Sequence, residues 1–288
     1  MTTARLFSRR PILLALSAAA LAASAGLLAA CGGGSGQPTA ISADRLVYGQ
    51  LSTFTASGDF ISAITTFAAT GCDNLTPRPI TSAIERQFSC VPRALSLRLA
   101  ARAGDFEFFT HNVAVPKPQV TLTTSMGLIV VELEPAIVQQ TVDNFLSYVN
   151  SNFYSGTIFH RVLAGFVNQG GSTTRNTDGA LLIKTGLATA INLETNQGLS
   201  NLHGTIAMAR TTAFNSAQAG FYLNAVDNIA GRTGVTNLDY QSDSAPGYAV
   251  FGKVVTGLAV VDAINAVPAN AGGVPVTDVV LQTAVQTR

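Results

Sequence analysis

The chain has 288 residues, of which 47% are hydrophobic and 11% are charged, and its formal net charge is +1. This composition excludes an extensively disordered protein, which would be much richer in charge, and indicates one or two globular domains. The lysines and arginines are scattered along the chain, so the sequence presents no basic face for nucleic acid, and we expect no such partner.

Residues 1–30 have the pattern of an export signal. Three arginines precede the uncharged run "PILLALSAAALAASAGLLAA", which ends in "LAAC" at Cys31 and is followed by "GGGSGQPTA". This pattern resembles a lipoprotein signal peptide, in which the cysteine is lipidated and becomes the mature N-terminus. We therefore predict a lipid anchor on Cys31 and a flexible tether over residues 31–43.

The same apolar run is about as long as a bilayer core requires, so a retained membrane helix is the alternative. The small residues and polar spacer after the run favour a cleaved and tethered protein. The segment "SRRPILL" also resembles a twin-arginine signal, which leaves the export route open. On either route we expect a protein lipid-anchored to a bacterial membrane, facing the periplasm or the exterior.

Two further cysteines, Cys72 and Cys90, lie beyond the tether. Disulfides persist outside the cytosol, so the export signal favours a bridge between them over two separately buried thiols. No CxxC motif occurs, and the three histidines, His111, His160 and His203, show no ligand spacing. We predict neither a metal site nor a cofactor.

Residues 44–118 read as short alternating runs separated by Gly, Pro and Asn, the pattern of a small β-sandwich. Two cysteines on separate strands favour an immunoglobulin-like sandwich, although no tryptophan supports that choice. The segment "VPKPQ" at 115–119 predicts a stiff domain boundary, because each proline restricts its own φ and extends the preceding residue.

Residues 119–288 begin with two strand-like runs around a glycine turn, "VTLTTSMGLIVVEL". Helical spacing follows, with Pro135 suited to the first turn, in an apolar face made of Val138, Val142, Phe145, Leu146 and Val149. After further strand-like segments, a second helix is predicted from Val260, Val261, Ile264 and Val267. Many strands with two helices predict a closed antiparallel barrel.

Several long motifs of this second part occur in a familiar order: "YVNSNFYSGTIFHRV", "FHRVLAGFVNQGG" at 159–171, "GTIAMAR" and "YAVFGKVV". They resemble a cyclophilin-type peptidyl-prolyl isomerase, closest to the bacterial envelope forms. The resemblance runs from about Val120 to the C-terminus and covers none of residues 32–118. It implies a mainly β fold, an eight-stranded antiparallel barrel with two helices, and a proline-binding groove on the outer surface of the barrel.

The resemblance also implies roles for individual residues. Arg161 would donate to the prolyl nitrogen, and Gln169 would hold Arg161 in place or bond the substrate backbone. The remaining positions that it matches to substrate binding are Phe166, Val167, Ala209, Arg210, Thr211, Tyr222, Leu238 and Tyr248. His160 is interpreted as a structural polar residue, since strand alternation would turn it away from Arg161.

Some positions depart from the family pattern. Gly220 stands where the family usually has Gln, Tyr222 where it has Phe, and Val167 where Met is common, while Asn237 replaces an aromatic residue. Tyr248 stands where several members carry His. The predicted activity is isomerisation of X-Pro bonds in exported proteins. The alternative is a weakly active or inactive module that binds Pro-containing segments at the membrane, and residues 44–118 could dock an unidentified partner.

Overall fold

The computed structural model of the protein describes residues 40–58, 65–82, 84–234 and 236–288. The predicted signal peptide, Cys31 and most of the tether lie outside these residues. Within the described ranges, no helix has the length and apolar character needed to cross a membrane.

The N-terminal part contains two antiparallel sheets. In chain order the strands are β1 (Ala40–Ala43), β2 (Ser52–Ser57), β3 (Thr65–Thr70), β4 (Cys72–Pro77), β5 (Glu85–Pro92), β6 (Ser96–Ala103) and β7 (Phe106–Ala114). One sheet has the order β1-β2-β5-β4 and the other the order β3-β6-β7. The first strand precedes residue 44 and pairs with β2, so it lies within the predicted tether. A strand of four residues is too short to show alternation in the sequence.

Aromatic stacking joins the two sheets. Phe88 of β5 is fully buried and stacks on Phe54 of β2 at 5.2 Å between ring centroids. On its other side it stacks on Phe67 of β3, in the second sheet, at 4.4 Å. Leu97 and Leu99 of β6 are also fully buried, so the sheets enclose a core made by alternate residues of their strands.

The predicted disulfide between Cys72 and Cys90 is present. It joins β4 to β5, which are neighbours in one sheet. In antibody domains the disulfide links the two sheets instead. The position of the bridge therefore does not confirm the immunoglobulin-like part of the fold prediction.

In the residues that the structure describes, the C-terminal part contains eleven further strands and two helices. In chain order these are β8 (Gln119–Thr124), β9 (Gly127–Leu133), α1 (Gln139–Asn150), β10 (Thr157–Ile158), β11 (Arg161–Val162), β12 (Val167–Gly170), β13 (Thr173–Arg175), β14 (Leu181–Ile183), β15 (Thr205–Met208), β16 (Phe221–Asn224), β17 (Val250–Thr256), α2 (Leu258–Asn265) and β18 (Val280–Gln286).

These strands make one curled antiparallel sheet with the order β11-β12-β16-β15-β17-β9-β8-β18-β10-β13-β14. The strands β10 and β11 are separated by only Phe159 and His160, yet β10 pairs with β18 and β13 whereas β11 pairs with β12. The segment from β10 to β11 thus connects the β18 side of the sheet to the opposite edge, where β11 pairs with β12. The predicted count of eight strands is not confirmed, because interruptions such as this one divide the sheet into eleven.

Both helices contribute buried residues to the apolar core that the curled sheet also lines. The predicted face of α1, from Val138 to Val149, is buried, and its Phe145 packs against Phe221 and Phe251 at 5.8 and 5.0 Å. The helix begins at Gln139, later than Pro135 suggested, because residues 135–137 form a turn first.

The two parts of the chain touch through α1 and β18. The side chain of Gln286 donates to the backbone carbonyl of Tyr48 at 2.9 Å and accepts from Gln50 at 3.0 Å. Arg93 pairs with Asp143 of α1 at 3.1 Å. The buried Tyr48 side chain and these polar contacts place the N-terminal part against one helix and one strand of the barrel.

The disulfide gives a prediction for the N-terminal part alone. Its loop has a sequence separation of 18 residues. A loop of this size contributes about 3 kcal/mol in the chain-entropy model, so reduction should lower the unfolding temperature of this part. Residues 119–288 contain no cysteine, so isomerase activity at 25 °C should be the same with and without reductant. Two alkylatable thiols at 72 and 90 in the native, non-reduced protein would contradict the bridge.

Candidate active site

One row of cross-strand neighbours carries the predicted catalytic residues. Arg161 of β11 lies opposite Gln169 of β12, which lies opposite Tyr222 of β16. The row continues to Ala207 of β15 and Val250 of β17. Directly opposed residues of a sheet share one face, so these five side chains lie on the same side of the barrel wall.

The adjacent row points the other way. Val162, Asn168, Leu223 and Ile206 are opposed on the same strands, and each is almost completely buried. They belong to the barrel interior with the helices, where Asn168 donates to the carbonyl of Val261 at 2.8 Å. The Arg161 row is therefore on the outer face, where Arg161 and Gln169 are half-buried and Tyr222, Ala207 and Val250 are covered by the apolar cluster described below.

Arg161 is held by its strand partner. Its Nη1 donates to Oε1 of Gln169 at 3.3 Å. In the part of the chain that the structure describes, no carboxylate lies within ion-pair distance of Arg161. The guanidinium has five N–H donors, so its charge and further donors are available to a substrate.

Gly273, in the loop before β18, packs closely against Arg161. No sequence pattern marked this role. Its carbonyl accepts from the backbone N–H of Val162 at 2.7 Å. Its φ is +82°, and a Cβ there would lie 2.7 Å from Leu163 and 3.4 Å from Cγ of Arg161. Only glycine combines this conformation with such a close approach.

A small apolar cluster, separate from the barrel core, lies beside Arg161. Its buried members are Val167, Ala207, Tyr222, Leu238 and Val250, and Phe166, Leu199, Ala209 and Tyr248 pack against them partly buried. Six of the eight predicted substrate-binding residues thus come together here. Ala207, Val250 and Leu199 were missed, although alternation from Ala209 along β15 would have found Ala207.

A buried hydrogen bond positions Tyr222. Burial raises the pKa of its hydroxyl well above the ordinary value, so the group stays protonated and donates to Oδ1 of Asn201 at 2.8 Å. The backbone N–H and Nδ2 of Asn201 donate in turn to Asp239 at 2.7 and 2.9 Å. Asn201 therefore connects the pocket wall to the loop that carries Leu238. No local sequence pattern marks it.

The other two predicted residues, Arg210 and Thr211, lie at the edge of the cluster. Nε and Nη2 of Arg210 donate to the carbonyl of Gly247 at 3.0 and 2.9 Å, and its guanidinium lies 4.6 Å from the centroid of the Tyr248 ring. Thr211 is exposed, and its hydroxyl bonds to Ser216 at 2.9 Å. Arg210 thus holds the backbone at Gly247 by hydrogen bonds and contacts the adjacent Tyr248 ring through a cation–π interaction.

His160 does not follow the alternation that the sequence suggested. No strand includes Phe159 or His160, so period-two geometry does not apply to them. His160 instead lines a cavity together with Gln169. Burial lowers the pKa of its imidazole, which makes the neutral form the dominant one at pH 7. No three His, Cys, Asp or Glu side chains in the described ranges group together as metal ligands would.

The comparison with protein families covers the whole barrel. Residues 119–286 match the family model described as "Cyclophilin type peptidyl-prolyl cis-trans isomerase/CLD". The chain belongs to this family. Its outer-face row and apolar cluster therefore lie in a cyclophilin-type domain, and its enzyme class is cyclophilin-type peptidyl-prolyl cis-trans isomerase.

Similar cyclophilin-type proteins include bacterial isomerases. The chain is 43% identical over 169 residues to peptidyl-prolyl cis-trans isomerase cyp18 of Streptomyces antibioticus, covering 57% of this chain and 96% of that one. It is 41% identical to isomerase A of Dickeya dadantii, covering 59% and 85%. It is 40% identical to isomerase B of Escherichia coli, covering 57% and 96%.

A solved structure is also similar to the barrel. It is a cyclophilin-type isomerase of Cryptosporidium parvum in the presence of the dipeptide Ala-Pro. It has a TM-score of 0.47 and 21% identity, and the match covers 59% of this chain and 99% of that one.

The Tyr222 hydroxyl can be tested separately from its ring. Tyr222→Phe keeps the pocket wall and leaves Oδ1 of Asn201 with its second donor, Asn224, at 3.2 Å. We expect a loss of about 1 kcal/mol in the free energy of unfolding, the typical net value of one hydrogen bond, and kcat/KM within about threefold of wild type. Tyr222→Ala is the matched variant that removes the ring, and it should raise KM strongly. A large loss of activity in Tyr222→Phe would assign the hydroxyl a direct role in catalysis.

Proposed function

We propose that this protein isomerises X-Pro bonds of exported proteins at the cell envelope, with Arg161 as the catalytic donor. One observation carries the assignment of Arg161. It lies on the outer face of the sheet, bonded to the neutral Gln169 and beside the apolar cluster, with no carboxylate paired to it among the described residues.

The chemistry requires a donor rather than a nucleophile. Amide resonance puts a barrier of about 18–20 kcal/mol on peptide-bond rotation, and X-Pro bonds have two accessible isomers. A donor aimed at the prolyl nitrogen favours its pyramidal form and weakens the double-bond character of the C–N bond. The interaction is stronger in the twisted transition state than in either planar ground state, so it accelerates the reaction.

The apolar cluster supplies the binding site for the proline ring. Val167, Tyr222 and Leu238 form its buried floor, and Phe166 and Tyr248 are accessible at its rim. The segment from Ala209 to Thr211 leaves the end of β15 and would pair with the substrate backbone. Gln169 contributes by holding the guanidinium, so that little reorganisation is needed when the bond twists.

Replacement of Arg161 tests this mechanism. Arg161→Ala should lower kcat/KM for a short X-Pro peptide by roughly 10²- to 10³-fold, equivalent to about 2.7–4 kcal/mol, by analogy with the loss of one preorganised donor. Peptide binding should weaken much less, because the apolar pocket remains. A protease-coupled isomerisation assay and a direct peptide titration measure the two effects.

Two milder variants serve as controls for the geometry. Arg161→Lys keeps the charge but loses the planar fork, so it should also be strongly impaired. Gln169→Ala removes the support at 3.3 Å and leaves the donor, so its loss should be smaller. Equal activity of wild type and Arg161→Ala would overturn the mechanism. An inactive wild type that still binds X-Pro peptides would favour the binding-module alternative.

We infer export and lipid anchoring from the N-terminal sequence. The run before Cys31 and the flexible spacer after it fit a lipoprotein, and a disulfide further along the chain suits a compartment outside the cytosol. The partners of the protein are then Pro-containing segments of exported proteins. Slow X-Pro isomerisation can limit the rate at which such proteins fold.

The anchor has a direct test. Cys31→Ala should release the protein from the membrane fraction or block its processing, because the lipidated side chain is lost. Mass spectrometry of the wild-type N-terminus should find a modified Cys31. Unchanged membrane retention of Cys31→Ala would instead favour the retained membrane helix.

We further propose that the N-terminal part is an immunoglobulin-like sandwich that serves as a docking module. Its strand orders, β1-β2-β5-β4 and β3-β6-β7, correspond to the ABED and CFG sheets of a seven-stranded immunoglobulin domain. The intra-sheet position of the Cys72–Cys90 bridge is the feature that differs.

A further inference from the structure

The contacts between the N-terminal part and the barrel lie at one end of the sandwich, which we call the barrel end. Tyr48 and Gln50, which meet β18, belong to the connection from β1 to β2, and Arg93, which pairs with α1, follows β5. Gly71, between β3 and β4, is at the same end, because its carbonyl accepts from the backbone N–H of Arg93 at 2.8 Å. The opposite end of the sandwich is therefore turned away from the barrel.

The chain enters the sandwich at that opposite end, which we call the distal end. Ala40, the first described residue, lies opposite Ser57 at the end of β2, and Ser57 lies opposite Glu85 at the start of β5. The connection from β4 to β5 is therefore at the distal end as well. It carries Ile80 and Ile84, each of which is 57% exposed.

The second sheet adds an aromatic side chain to the distal end. Because β3 ends beside Gly71, it begins at the distal end, where Thr65 lies opposite Ala103. In the hairpin between β6 and β7, Ala103 lies opposite Phe106, whose side chain is 69% exposed. Single exposed apolar residues are normal, but a group of large ones at one end of a domain marks an interaction surface.

The length of the chain before Ala40 indicates what covers this surface. Nine residue steps separate Cys31 from Ala40. An extended chain spans at most about 3.3–3.6 Å per residue, so an anchor at Cys31 keeps the distal end within roughly 30 Å of the bilayer. Contact with the membrane is then an intramolecular event at high effective concentration, so three side chains can suffice although they would bind lipid weakly without the tether.

The charges of the distal end nearly balance. Arg78 and Arg86 have no carboxylate within ion-pair distance among the residues that the structure describes, and Glu85 and Asp105 carry the opposite charge nearby. Attraction to anionic lipids depends on an excess of basic residues. Any membrane contact of this end therefore depends on its apolar side chains and not on the charge of the lipid.

We propose that the distal end of the sandwich lies against the bilayer, with the side chains of Ile80, Ile84 and Phe106 in the headgroup region. The inference rests on the proposed membrane anchoring and extends it, because the partner of the N-terminal part is then a lipid surface. The strand β5 has eight residues and spans about 27 Å at about 3.3–3.4 Å per residue. The sandwich thus holds the isomerase domain about one strand length above the membrane.

The test uses the absence of tryptophan from the sequence, since Phe106→Trp then introduces a single fluorophore. The full chain is reconstituted into phosphatidylcholine vesicles whose acyl chains carry bromine close to the headgroups, and the vesicles are isolated by flotation. Apolar interfacial side chains reach about 5–10 Å into the boundary between headgroups and acyl chains. Phe106→Trp should therefore lose most of its emission relative to vesicles without bromine.

Leu51→Trp is the matched control. Leu51 is 62% exposed but precedes β2 at the barrel end, so its replacement should emit equally with and without bromine. Adding Ile80→Ser and Ile84→Ser to Phe106→Trp should reduce the quenching, whereas adding phosphatidylglycerol to the vesicles should not change it. Unchanged isomerase activity of these variants shows that the chain remains folded.

The outcomes separate this inference from the proposed anchoring. If the chain floats with the vesicles but Phe106→Trp is not quenched, the inference is overturned and the anchoring stands, and the distal end is then free for a protein partner. Equal quenching of Phe106→Trp and Leu51→Trp would overturn the proposed orientation. If no chain floats, the anchoring fails and this inference fails with it. A lipid on Cys31 and a retained helix both hold the chain, so the choice between them does not affect the result.

Discussion

The register of four adjacent strands is the constraint on which the site depends. Along β11, β12, β16 and β15 the side chains alternate between the barrel interior and the outer face, so Val162 is buried while Arg161 is at the outer surface. A slip of one residue would exchange the two faces and put the guanidinium into the apolar core. Catalytic geometry and barrel packing are therefore specified by the same hydrogen-bond ladder.

Residues in the loops hold the side chains of the pocket in position. Asn201 connects the Tyr222 hydroxyl to Asp239, and Leu238 and Tyr248 are joined by a backbone hydrogen bond of 3.0 Å. Gly273 closes on the other side of Arg161. The Tyr222 hydroxyl and the side chain of Asn201 thus have fixed partners, which suits a site that must be preorganised for a twisted amide. The N-terminal part contacts α1 and β18, so its interface does not use the row that contains Arg161.

Sequence patterns predicted the elements with strong periodicity or strong chemical identity. The helical spacing of Val142, Phe145 and Val149 located α1, and an even pair of cysteines predicted the disulfide that the structure contains. Patterns were weaker where the chain is irregular. The strand β1 was too short to recognise, and alternation did not apply at His160, because β10 ends before it. The alternating runs indicated a sandwich but could not indicate which strands are neighbours.

By itself, the sequence determined the family, the barrel with two helices, and the identity of the polar pair Arg161 and Gln169, because these depend on long ordered motifs and on local periodicity. Only the tertiary structure decided that the pair lies in one row with Ala207 and Val250, and that Asn201 holds the pocket tyrosine. It also decided that exposed apolar residues of both sheets, Ile80 and Phe106, lie at the end of the sandwich that is turned away from the barrel. Such placements bring together residues that are far apart in the chain, and they are set by strand register and loop closure, which leave no local trace in sequence.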